Sequence, residues 1–117
     1  MPLIFDGLVQ SPEKAGVRIA SARIDGSENV TLEDGAWISS IAATATGHDT
    51  ITLESGIFSE APKCFATVNV SGASTEIRSC VIPATSTSSV QTYCNYYNGV
   101  DVGAYGFNYY LTCIGKK

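Results

Sequence analysis

Two groups of residues in this chain are of types that do chemistry. The first is the single histidine, His48, which stands between Gly47 and Asp49 in "TGHDT". A histidine beside an aspartate looks like a fragment of a nucleophilic triad, but no G-x-S-x-G elbow is present to offer a serine. Asp25, Glu28, Glu33, Asp34, Asp49, Glu60 and Asp101 fall in turn-like segments, where solvated carboxylates are ordinary. Nothing in their spacing marks the facing pair at fixed separation that glycoside hydrolysis requires. There is no G-x-G-x-x-G, P-loop or C-x-x-C. The chain is therefore read as a non-enzyme with no catalytic residue, no cofactor and no metal.

The second group is the tyrosines. All six lie between Tyr93 and Tyr110, interleaved with Asn and Gly in "TYCNYYNGVDVGAYGFNYY". Tyrosine gives rigid amphipathic area with a polar tip, and asparagine gives adaptable hydrogen bonding, the materials of recognition surfaces. Tyr93, Tyr96, Tyr97, Asn98, Asp101 and Tyr110 are expected to form an exposed ligand-binding surface. In it, rings stack on sugar faces while Asn and Asp take the hydroxyls. Tyr105 and Tyr109 share the parity of Phe107 and Leu111 and are expected to pack inside or against a neighbouring subunit. Tyr96 is inward by parity but adjoins the turn.

The elements that position these side chains are strands. Turn formers recur at short intervals ("DGSEN", "EDG", "TGHD", "ESG", "SGAS", "NGVDVG"), with runs rich in Val, Ile, Thr and aromatics between them. The pattern predicts an all-β fold, an antiparallel β-sandwich of about seven or eight strands, with strands near 17–24, 36–43, 50–54, 63–70, 76–82, 89–97 and 104–114. In "DTITLE", Ile51 and Leu53 face one way; in "KCFATVNV", Cys64, Ala66, Val68 and Val70 share a face. Asn98-Gly99 favours a hairpin that pairs 89–97 with 104–114. "SPEKAG" offers one helical turn at most, since Gly16 stops it. Trp37 is assigned to the core or an interface.

With 117 residues the chain makes one domain, large enough to bury a core without staples. Residues 1–15 lack a clear period and read as a junction to an upstream region, with the sandwich over 16–117. Charged residues are 15% and the net charge is −4, with the seven basic residues scattered, which argues against nucleic acid. No apolar run approaches 18 residues, so no membrane insertion is expected. "MPLIFDGLV" lacks the basic start and cleavage site of a signal peptide. The sequons at Asn29 and Asn69 are accordingly taken as chance matches. Cys64, Cys80, Cys94 and Cys113 allow two disulfides in three connectivities, but are read as buried thiols acting as small hydrophobes.

The order "GVRIASARIDG … GAWISSIAATATGHDTITLESGIFSEAPKCFATVNV … GFNYYLTCIGKK" resembles the C-terminal tip domains of bacteriophage tail fibres and tailspikes. The likeness rests on a "WISS" strand, a "G-x-x-T-I-T-L" strand, an "F-S-x-A-P" turn and a closing aromatic strand ending "C-I-G". Part of it is also similar to H-type lectins, in which "F-x-x-A-P" precedes a sandwich strand. The resemblance implies a homotrimer at a fibre tip, a virion location after assembly in the host cytoplasm, and attachment to host cell-surface polysaccharide or lipopolysaccharide. Some such tips hold metal with paired histidines, an arrangement the lone His48 departs from. The other reading is a secreted bacterial carbohydrate-binding module acting as a monomer.

Overall fold

The computed structural model describes residues 16–68, 77–97, 102–104 and 108–117. Nine strands follow one another: β1 (Val17–Ile24), β2 (Val30–Glu33), β3 (Ile38–Ala45), β4 (His48–Leu53), β5 (Lys63–Val68), β6 (Ile77–Thr85), β7 (Ser89–Tyr97), β8 (Val102–Ala104) and β9 (Tyr109–Lys116). They form two antiparallel sheets, one in the order β2-β1-β9-β5 and the other β3-β4-β7-β6, with β8 also paired to β7. The sheets pack face to face as a β-sandwich. One core is filled by Ala20, Ala22, Ile24, Tyr109 and Leu111 from the first sheet and Ile51, Leu53, Val90 and Cys94 from the second. The helical turn suggested for "SPEKAG" and the junction over 1–15 lie outside the described residues, apart from Gly16.

Alternation builds the first sheet as expected. Along β9, Tyr109, Leu111 and Cys113 are buried while Tyr110 and Ile114 are exposed. In β5 the odd positions Phe65 and Thr67 face out and Cys64, Ala66 and Val68 lean inward. What alternation could not supply was partners. The strand over 89–97 does not pair with the closing strand. Its hairpin partner is the short β8, with Asn95 opposite Ala104 and Tyr97 opposite Val102. β9 belongs to the other sheet, between β1 and β5. The expected single strand 104–114 is thus divided, and the chain changes sheets between Ala104 and Tyr109. β2 was not expected either. Four residues between two turns carry too short a period to show.

The reading of the cysteines as thiols is corrected. Cys64 is bonded to Cys113 and Cys80 to Cys94, and no cysteine is free. Each pair is directly opposed across neighbouring strands, Cys64 on β5 against Cys113 on β9 and Cys80 on β6 against Cys94 on β7. The Cα atoms lie 4.1 and 4.0 Å apart. Antiparallel partners come to about 4.5 Å at their narrow positions, which puts two sulfurs within bonding reach. Each sheet therefore carries one covalent rung.

The sequence motifs turn out to be joints. Trp37 of "WISS" is buried, and its indole N–H donates to the Ser21 carbonyl at 3.0 Å, tying the start of β3 to β1. Phe58 and Pro62 of "FSEAP" pack over Gly115 of "CIG". A Cβ at Gly115 would stand 2.9 Å from the Phe58 ring and 3.0 Å from Pro62 Cβ. The Ser59 amide donates to the Lys116 carbonyl at 2.8 Å, closing the same joint.

Three outcomes follow from this frame. Thiol labelling in denaturant should find no reactive cysteine until reductant is added, and four afterwards. Removing Cys64–Cys113 by double alanine substitution should cost about 4 kcal/mol, and Cys80–Cys94 about 3 kcal/mol, because the first closes the longer loop. Free thiols in the denatured, unreduced chain would contradict the pairing. Gly115→Ala should lower stability by about 1–3 kcal/mol in thermal unfolding, the cost of overpacking a closed contact.

Candidate functional site

The outer face of the first sheet holds a cleft at its β2 end. Adjacent strands supply the walls: Ser21, Ala22 and Arg23 from β1, Glu33 from β2 with Asp34 just beyond it, and Tyr110 from β9. Its volume is about 260 Å³, a little below the ~300 Å³ at which sites for drug-sized ligands begin. Arg23 and Tyr110 are directly opposed in the β1–β9 register. The guanidinium carbon of Arg23 lies over the Tyr110 ring, 6.0 Å from its centroid, at the outer limit of a cation–π contact. The Arg23 Nε is buried and has no hydrogen-bond partner.

Glu33 is held firmly. Its Oε2 accepts the amides of Trp37 at 2.9 Å and Ile38 at 2.7 Å, so its carboxylate is turned to the start of β3, and in the strand register Glu33 stands opposite Ala22. The Asp34 amide donates to the Ser21 carbonyl at 3.0 Å, fixing the backbone of the rim, while the residue itself is exposed. The cleft thus combines an aromatic ring that is 43% exposed, one guanidinium and two carboxylates on a rigid sheet. Planar polar groups around an accessible ring suit a small polyhydroxylated ligand. A carboxylate can accept a hydrogen bond from a hydroxyl, a guanidinium can donate to an oxygen, and an aromatic ring can cover an apolar C–H face.

The residues expected to form one surface are not brought together. Tyr110 lies on the first sheet, whereas Tyr93 is on β7 in the second. Both alternate with buried neighbours and so face outward from opposite sides of the sandwich. Tyr93 stacks on His48, with ring centroids 3.9 Å apart and planes 10° from parallel. Tyr96 is partly buried against the core, following its parity. Tyr97 ends β7 opposite Ile77; its side chain, and Asn98 and Asp101, lie outside the described residues. Arg23, Glu33 and Asp34 were missed as site residues because three separate segments bring them together. The one signal in the sequence is that Arg23 shares parity with Ile19 and Ser21 along β1, an outward face.

Asp49 corrects the reading of the acids as solvated turn residues. It lies in β4 and is buried, because "TGHD" is a tight hairpin in which Gly47, at φ 74°, takes the turn and Asp49 is already inside. Tyr109 Oη donates to Asp49 Oδ2 at 2.9 Å, and the Thr92 hydroxyl completes the chain to Tyr109 at 3.0 Å. Burial raises the Asp49 carboxyl above its ordinary value, against the lowering effects of the Tyr109 hydrogen bond and the His48 charge. Burial likewise pushes the Tyr109 phenol well up. This network links the sheets across the core and is structural. Among the described residues, no group of three His, Cys, Asp or Glu side chains is placed to hold a metal ion.

No protein-family model matches the chain, and neither a curated protein nor a solved structure matches it.

The buried network has a pH signature. Because the folded Asp49 binds its proton more tightly than the unfolded one, its contribution favours the fold in acid. That contribution declines as pH rises from the unfolded carboxylate value, about 3.9, through the raised folded value. Asp49→Asn keeps an acceptor for Tyr109 and removes the charge. Its melting temperature should gain on the parent as pH rises from 3 to 7, with the difference smallest in acid. Tyr109→Phe should instead cost about 1–3 kcal/mol at neutral pH, since it leaves a buried carboxylate and hydroxyl short of a partner.

Proposed function

We propose that this domain is an attachment module, the receptor-binding and trimerisation tip of a bacteriophage tail fibre or tailspike, which binds host cell-surface glycan without cutting it. The observation that carries the binding part of the reading is the cleft in which Arg23, Glu33 and Asp34 surround the exposed ring of Tyr110. The order of the "WISS", "FSEAP" and "CIG" segments supports the fibre-tip assignment, and all three are joints of the fold.

Assembly as a homotrimer draws support from the rest of the same face. Ile19 and Ile114 are directly opposed and exposed, and Phe65 stands exposed on the neighbouring strand. This apolar strip lies four residues along β1 from Arg23, about 13 Å at 3.3 Å per residue. It borders the cleft, since Ile19 stands two residues along β1 from Ser21 and Phe65 pairs with Thr112, itself opposite Ser21, so a subunit packed on the strip would meet the near wall of the cleft. Three copies of one weak site on a fibre would then bind a repeating glycan through their joint avidity.

The second reading, a secreted bacterial carbohydrate-binding module acting as a monomer, is favoured by the two disulfides, which persist in oxidising surroundings and are rare in the cytosol. Light scattering separates the two. A species of about 37 kDa, three times the 12.3 kDa chain, is the outcome for the fibre tip, and a 12.3 kDa species that for the secreted module.

The binding test contrasts the two outward tyrosines. Tyr110→Ala should weaken binding to host polysaccharide at least tenfold, about 1.4 kcal/mol, while thermal stability stays within about 0.5 kcal/mol as for most surface positions. Tyr93→Ala, on the opposite face, should leave that binding unchanged. The reverse pattern would move the site to the His48–Tyr93 pair.

A further inference from the structure

We infer that the cleft at Tyr110 selects uncharged sugar units, in the manner of a neutral hexose, and rejects glycans whose units carry carboxylate, phosphate or sulfate. The inference rests on the attachment reading above and adds to it the chemical class of the ligand.

Charge decides the class. Glu33 and Asp34 both line the cleft and Arg23 is the single cation there. The chain as a whole carries −4. An anionic sugar entering this cleft would meet two acidic residues against one counter-charge. A neutral sugar meets no such opposition, and its hydroxyls are donors, the groups that acceptor-only carboxylates require.

The state of Arg23 points the same way. Its buried Nε has no acceptor, an arrangement native proteins seldom leave without a reason. The guanidinium rests over the Tyr110 ring without that hydrogen bond. A ligand hydroxyl or ring oxygen that draws it outward supplies an acceptor and at the same time uncovers more of the ring for the sugar's C–H face. A neutral oxygen is enough for this exchange. The size of the cleft, about 260 Å³, limits the occupant to one sugar unit of a longer chain.

The test presents the whole chain, its disulfides intact, with two panels of immobilised oligosaccharides at low and high salt. One panel is neutral and the other bears uronate or phosphate. The parent should bind members of the neutral panel, with little dependence on salt. Tyr110→Ala and Arg23→Gln should each lose at least tenfold. Asp34→Asn, which removes one of the two acids lining the cleft, should gain salt-sensitive binding to the acidic panel. Preference of the parent for the acidic panel, lost with Tyr110→Ala, would overturn the class while leaving the cleft as the attachment site. Binding indifferent to Tyr110 and Arg23, or absent from both panels while the variants melt like the parent, would overturn the cleft itself.

Discussion

Strand β9 and the alternation of its side chains set the terms for everything else in this sandwich. It is the inner strand on which β1 and β5 both depend for pairing. Tyr109, Leu111 and Cys113 are almost completely buried, and Tyr110, Thr112 and Ile114 take the opposite face. Because the strand period is two, a slip of one residue would send the entire inner set to solvent. Two interactions prevent that slip. Cys113 is covalently bound to Cys64 on one neighbour, and Tyr109 reaches across the core to Asp49 and Thr92 of the other sheet. One rung sets the strand against its own sheet, and the other sets the sheets against each other.

The same constraint fixes the arrangement of the outer face. With β9 fixed, Tyr110 must stand opposite Arg23, and β2 sets Glu33 opposite Ala22, the next residue along β1. Glu33 is bound to two amides at the start of β3, so the cleft wall is part of the connection between sheets. A site on such elements is held by backbone hydrogen bonds and needs no loop to order on binding, which spares the entropy that a flexible site would lose.

Much of this was legible in the sequence and some could not be. The inward turn of Tyr109 and Leu111 and the outward turn of Tyr93 and Tyr110 follow from parity alone. Which strands stand side by side does not, since parity is the same whatever the neighbour. That single gap accounts for the cysteines, whose bonding depends on Cys64 meeting Cys113 and Cys80 meeting Cys94. It also accounts for the hairpin, read as 89–97 against 104–114 when β9 crosses to the other sheet. The tyrosines looked like one surface because they are close in sequence, yet Tyr93 and Tyr110 end on opposite sides. Asp49 was hidden differently: a hairpin tight enough to turn at Gly47 leaves its second neighbour already in the core.

We propose that an aromatic cleft on the first sheet, and not the tyrosine-rich hairpin as a whole, is where this domain meets its ligand. It is tested most directly by NMR titration of the isotopically labelled chain with a neutral oligosaccharide fragment of host polysaccharide. The account predicts that the Tyr110 ring and the amides of Ser21, Arg23, Glu33 and Asp34 shift together along one saturation curve, while His48 and Tyr93 stay in place. A saturable shift centred on His48 and Tyr93, with Tyr110 and Arg23 unmoved, would contradict it.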